Sequence, residues 1–163
     1  MDFSKLSRED WMVGGGGILL ILSLVIFGWY SYGGSVTVNG ATYGYSGSLA
    51  ATSSPYAIWG ILALIVTIAI VVDLALARFS PATAMPTTRL GRDMTRAAAA
   101  GGVALLLFIK FIAHVGNFGF GFVLDVVLTI IVVSGAWLTA QGKSTRIGTP
   151  RSSQAPSSGD PFQ

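Results

Sequence analysis

Apolar and polar positions alternate along the chain on a coarse scale: four long apolar runs, at about residues 11–30, 55–77, 97–115 and 120–138, are divided by short polar segments. Each run is close to the ~20 residues that a helix rising about 1.5 Å per residue needs to cross a hydrocarbon core of roughly 30 Å. The pattern predicts four membrane-spanning helices. The first apolar stretch is longer than the roughly 7–15 residues of a cleaved signal peptide and closes on Trp29-Tyr30, an interfacial stop, so an uncleaved anchor is expected. Between the first two runs the period changes. Val36-Thr37-Val38-Asn39-Gly40-Ala41-Thr42-Tyr43 alternates strand formers about Asn-Gly, the dipeptide favoured in two-residue hairpin turns. A small β-hairpin is therefore expected in the uncharged loop 31–54. Because an isolated ribbon is marginal in water, it should lean on the helix ends or on a partner through Tyr43 and Tyr45. Ser54 and Pro55 mark the start of the second helix, a cap followed by proline at the first helical position. Only Gly116-Asn117-Phe118-Gly119 divides the last two runs, which predicts a tight helical hairpin.

Composition narrows the class. The chain is 52% hydrophobic and 10% charged with a mean hydropathy of +0.68, whereas soluble domains carry about a quarter charged residues. The expected class is an all-α membrane protein, a four-transmembrane-helix bundle with a small extracytoplasmic β-hairpin. Charge sets its direction: nine of the ten Lys and Arg residues lie in segments 1–10, 78–96 and from 141 onward. The positive-inside rule puts those segments, and both termini, in the cytoplasm. Trp11 and Trp137 then fall at inner ends and Trp29 and Trp59 at outer ends, as interfacial belts require. The chain divides into a cytoplasmic lead (1–10), a transmembrane domain (11–140) and a Ser/Pro/Gly/Gln-rich tail (141–163) too polar to bury a core, expected to be disordered. Topology accounts for the net charge of +3 without nucleic acid, and the basic segments imply attraction to an anionic inner leaflet.

Ionisable groups inside apolar runs are costly and are candidates for function. There are four here: Asp73, Lys110, His114 and Asp125. Lys110 and His114 share a helix face at i,i+4. Lys110 and Asp125 are equidistant from the Asn117-Phe118 turn, so an antiparallel hairpin sets them at one depth, where they are able to pair. Two readings stay open: an ion pair that registers the hairpin against sliding, with His114 interfacial, and a proton-sensitive polar track. Ser23, Thr67, Thr129 and Ser134 supply the remaining hydroxyls, and Thr129 lies one turn deeper on the Asp125 face. For Asp73 the expected partners are Arg78 or Arg96; its other reading is the inner mouth of a path from Asp125. Gly14, Gly16, Gly17 and Ser23 in the first run and Gly101-Gly102 in the third should mark close helix contacts, within the chain or with a partner. No Gly-Lys-Ser/Thr follows the first glycine cluster, which removes a phosphate loop. With no Cys, one His and neither H-E-x-x-H nor G-x-S-x-G, no catalytic residue, cofactor or metal site is expected.

A first run ending Ile21-Leu22-Ser23-Leu24-Val25-Ile26-Phe27-Gly28-Trp29-Tyr30, an uncharged outer loop, and a last run closing on Gly135-Ala136-Trp137-Leu138 before a Ser/Pro tail form a layout. Over residues 11–140 it resembles small four-span membrane proteins of actinobacterial type, most without assigned biochemistry. The resemblance implies a bacterial plasma (inner) membrane protein of the cell envelope and does not account for Lys110. The expected role is that of an accessory or scaffolding protein binding another membrane protein or itself. The alternative is a small oligomeric transporter or channel-like subunit using Lys110, His114 and Asp125.

Overall fold

Residue Ser7 begins the first helix. Its hydroxyl accepts a hydrogen bond from the Asp10 backbone N–H while the Asp10 carboxylate accepts from the Ser7 N–H, a reciprocal capping box. The computed structural model describes residues 6–53, 56–80, 91–113 and 115–142. In chain order these form α1 (Arg8–Ile26), β1 (Gly28–Val38), β2 (Ala41–Ala50), α2 (Ala57–Phe79), α3 (Arg92–Ala113) and α4 (Phe120–Ala140). All four helices are long and apolar enough to cross a membrane. Residues 8–10, read from sequence as a polar lead, are thus the first turn of α1, with Glu9 and Asp10 buried. The proposed Ser54-Pro55 helix start and the disordered tail lie outside the described residues; α2 begins after Tyr56, a left-handed residue without a side-chain cap.

Each helix packs against two others, α1 on α2 and α4, α3 on α2 and α4, which closes a ring of four. Their inner stripes meet through Leu20, Leu24, Ile70, Val103, Leu128 and Val132, while Ile, Leu, Val and Phe side chains stay exposed on the outer faces. Helices apolar all round with only one stripe buried are what lipid-facing helices require. Small residues set the approach of α1. Gly14 and Gly17 face Leu74 and Val71 of α2, Gly16 faces Ile131 and Val132 of α4, and Ser23 is buried. Gly101 and Gly102 differ: a Cβ at either position would meet nothing within 4 Å, so among the described residues they mark no close helix contact. The contact stripe of α3 runs instead through Ala97, Ala100, Val103 and Leu107. Gly101→Ala is accordingly expected to raise stability by up to about 1 kcal/mol, the helix-propensity difference alone, measured by thermal unfolding in detergent. A loss of stability would mean that this face is already covered.

The first run does not continue as helix to Tyr30. α1 stops at Ile26, and Trp29 and Tyr30 belong to β1. The reason is a better use of the backbone: Trp29 C=O accepts from the Gly119 N–H at 2.6 Å and the Ser31 N–H donates to Asn117 C=O at 2.8 Å, with Tyr30 bridged to Phe118. The described part of the α3–α4 connection therefore lies against the base of β1, and α3 and α4 pack side by side as the expected helical hairpin. This close passage needs glycine. A Cβ on Gly119 or Gly121 would run into the Gly28 carbonyl, and one on Gly60 would run into the Ala51 backbone.

The hairpin is longer than the 36–43 stretch that announces it. Asn39 and Gly40 both adopt positive φ (53° and 81°), as a two-residue primed turn requires. From there the register runs Val38↔Ala41, Val36↔Tyr43, Gly34↔Tyr45 and Tyr32↔Gly47 on one face, and Thr37↔Thr42, Ser35↔Gly44, Gly33↔Ser46 and Ser31↔Ser48 on the other. Directly opposed residues share a face and successive residues alternate. One face thus collects Tyr, Val, Ala and Gly; the other holds only Ser, Thr and Gly. Residues 31–46 are exposed throughout.

Candidate functional site

The charged groups of the helices form two layers, one near the hairpin and one at the opposite end of the ring. At the hairpin end, Lys110 is completely buried (0% exposed) three residues before the end of α3. Its Nζ donates to the Tyr56 carbonyl at 3.2 Å, just ahead of the first turn of α2. It also lies 5.4 Å from the centre of the Trp29 ring and 5.5 Å from that of Tyr30. Aromatic faces hold a cation through their quadrupole, so the carbonyl and two rings form a cage that replaces part of the hydration of the ammonium group. The cage exists because β1 turns back over the helix ends and brings Trp29 and Tyr30 to α3.

Asp125, 1% exposed, sits five residues into α4, about 8 Å from its start at 1.5 Å per residue. The ion pair with Lys110 expected from equal depth is not formed: neither Asp125 oxygen has a hydrogen-bond partner, and no salt bridge joins the two among the described residues. Equal depth on antiparallel helices says nothing about azimuth. Lys110 reaches toward α2, whereas the Asp125 carboxyl faces the Ser23 hydroxyl of α1. Ser23 lies close enough to interact with the acid, yet neither group attains hydrogen-bonding geometry. Thr129 Oγ1, one turn deeper, is likewise buried without a hydrogen-bond partner among the described residues. His114 lies outside the described residues.

At the opposite end the charges are matched. Asp73 Oδ1 accepts from Arg92 Nε at 2.8 Å and Asp73 Oδ2 accepts from Arg96 Nη2 at 2.6 Å and Nε at 3.1 Å. Arg92 Nη2 also donates to the Asp73 carbonyl, and Arg96 Nη1 reaches Asp93 at 3.3 Å. Arg96, one of the two partners expected for Asp73, is thus joined by Arg92. Arg78 goes elsewhere. Five residues on from Asp73, it stands about 140° around the helix at 100° per residue, and its Nη2 donates to Asp10 Oδ1 of α1 at 2.8 Å. Asp10 therefore caps α1 with one oxygen and ties α1 to α2 with the other. The Asp73–Arg92–Arg96 cluster does the same for α2 and α3. This layer fixes helix positions and consumes its guanidinium groups.

Sequence reasoning missed the slot beside Asp125. A cavity of about 300 Å³ between α3 and α4 is walled by Trp29, Leu107, Phe108, Phe111 and Phe122, with Asp125 and Thr129 among its lining. Phe118 and Phe122 stack at 4.4 Å between ring centres, and Phe111 stacks on both. The repeated Phe residues near the α3–α4 connection were the available signal, but aromatic spacing alone does not separate a packed core from a cavity wall. No family model, curated protein or solved structure matches the chain.

Proposed function

We infer that this is a multi-pass protein of the bacterial plasma membrane, with cytoplasmic termini and an outer ribbon, that serves as an accessory or scaffold by binding another membrane protein or a second copy of itself. The observation that carries the reading is the segregation of the ribbon's two faces. Tyr43 and Tyr45 are 64% and 58% exposed, with Tyr32, Val36 and Val38 exposed beside them. The Tyr45 ring lies across Gly34 and the Tyr32 ring across Gly47, where any side chain would displace it. Glycine opposite tyrosine leaves room for the rings to lie across the ribbon on its Tyr/Val face. An uncharged ribbon with one aromatic face and two open edges is suited to face packing or strand addition by a partner. Anionic lipid is a weaker contributor than the basic count suggests, because Arg78, Arg92 and Arg96 hold carboxylates of the chain itself.

The test places a photo-cross-linking residue at Tyr43 or at Ser46, on opposite faces of the ribbon, in intact cells. Position 43 should give one discrete adduct and position 46 none, and Tyr43→Ser with Tyr45→Ser should weaken capture at least about tenfold without lowering thermal stability, since both rings are exposed. The adduct mass identifies a second copy or another protein. Equal adducts from both faces, or none, would refute a docking role. Labelling of Ser46→Cys by an impermeant maleimide only after permeabilisation would reverse the orientation. The transport alternative would need Lys110 to release Tyr56 and its aromatic cage, which makes it the lesser reading.

A further inference from the structure

We propose that what docks on the ribbon is the ribbon of a second copy, Tyr/Val face packed on Tyr/Val face about a two-fold axis running along the strands. The assignment rests on the ribbon's being a docking surface and names its partner.

The membrane restricts the symmetry. Two copies inserted with the same orientation are related by rotation about the membrane normal, and a closed pair has its two-fold axis there. Residues 31–46 are exposed throughout, so the ribbon stands clear of the helix ends and the same axis can run beside it. Rotation about an axis along the strands keeps every residue at its height and exchanges left for right. β1 of one copy then faces β2 of the other, and each residue meets the twin of its own cross-strand neighbour.

Under that operation the register is complementary to itself. Tyr45 meets Gly34 of the second copy, Tyr32 meets Gly47, Tyr43 meets Val36 and Val38 meets Ala41. Every row sets a larger side chain against a smaller one. The Tyr45 and Tyr32 rings each lean over the glycine of their own chain. At those two rows the bulk of the two copies therefore falls on opposite sides of the axis, and the rings interdigitate. Edge pairing about the same axis would run like strands parallel, the weaker arrangement, and would turn the two Tyr/Val faces away from each other.

Charge and area agree with a twin. Residues 31–54 contain no Asp, Glu, Lys, Arg or His, so the face meets itself without like-charge repulsion. Tyr32, Val36, Val38, Tyr43 and Tyr45 are each at least half exposed. Together they offer about 500 Å² per copy, hence about 1,000 Å² between two, the lower limit of a specific interface.

The native chain has no cysteine, which makes the facing pairs directly testable. Two differently tagged full-length copies, one Val38→Cys and one Ala41→Cys, are reconstituted together in lipid vesicles and treated with a short bis-maleimide. A mixed adduct is expected, and none from Thr37→Cys with Thr42→Cys on the other face. Adding Val36→Lys to both copies should lower the yield at least about tenfold, whereas Val36→Lys in one and Val36→Glu in the other should restore it. Val36 is exposed, so neither substitution should move thermal stability. Equal adducts from both faces, none from the Val38–Ala41 pair, or no recovery with opposite charges would overturn the second copy as partner. If position 43 then still cross-links a different protein in cells, the docking role stands without self-association; if it cross-links nothing, both fall.

Discussion

Asp73→Ala should lower the stability of the detergent-solubilised protein by about 3 kcal/mol, the lower end of the cost of removing one partner from a buried ion pair. The lower end applies because the Asp73 side chain is 27% exposed. What makes the loss large is Arg96, whose side chain is 3% exposed and which among the described residues would keep only the longer contact to Asp93. A guanidinium cannot shed its proton to escape burial, so the charge stays and its desolvation is uncompensated. Asp73→Ala combined with Arg96→Met should recover at least about 1 kcal/mol of that loss, since the stranded charge goes with its partner. Chemical unfolding of the two singles and the double gives the coupling directly. A loss below about 1 kcal/mol for Asp73→Ala alone would show that the cluster is solvated decoration.

Gly60→Leu should be at least as damaging, costing about 3 kcal/mol or more, because the residue opposite is main chain. A Cβ at position 60 would fall on the Ala51 carbonyl, and that carbonyl belongs to the chain leaving β2 for α2. Flexible side chains yield to such a clash; a backbone constrained at both ends does not. α2 would have to move off the ribbon base, and with it the Tyr56 carbonyl that holds Lys110. Size-exclusion and circular dichroism of the purified variant would register the loss of folded protein. A Gly60→Leu protein with native thermal stability would show that the ribbon base floats free of the helices.

How much of this was legible beforehand differs by residue. Asn39-Gly40 declared the hairpin because a two-residue turn with both φ positive is a local demand that those residue types meet at least cost. Ser7 and Asp10 could have declared the start of α1 in the same way, since their three-residue spacing is a capping pattern, but two flanking charges disguised it as a polar lead. Asp73 was legible as a charge in need of arginine. Which arginines was not, because Arg78 and Arg92 are exchanged by azimuth and by the path of α3, neither of which depth along a helix reveals.

The sequence by itself determined that there are four long apolar helices, that a ribbon interrupts them, and that Lys110, Asp125 and Asp73 are ionisable exceptions within apolar runs needing an account. Hydrophobic length, turn chemistry and the cost of charge in apolar surroundings are properties of a segment and its neighbours along the chain, so they survive without coordinates. Only the tertiary structure decided that Lys110 turns to Tyr56, Trp29 and Tyr30 while Asp125 faces Ser23 and a slot. That choice depends on β1 folding back over the helix ends and on the Gly28–Gly119 and Gly60–Ala51 approaches, contacts between segments far apart in the chain whose geometry no single stretch encodes.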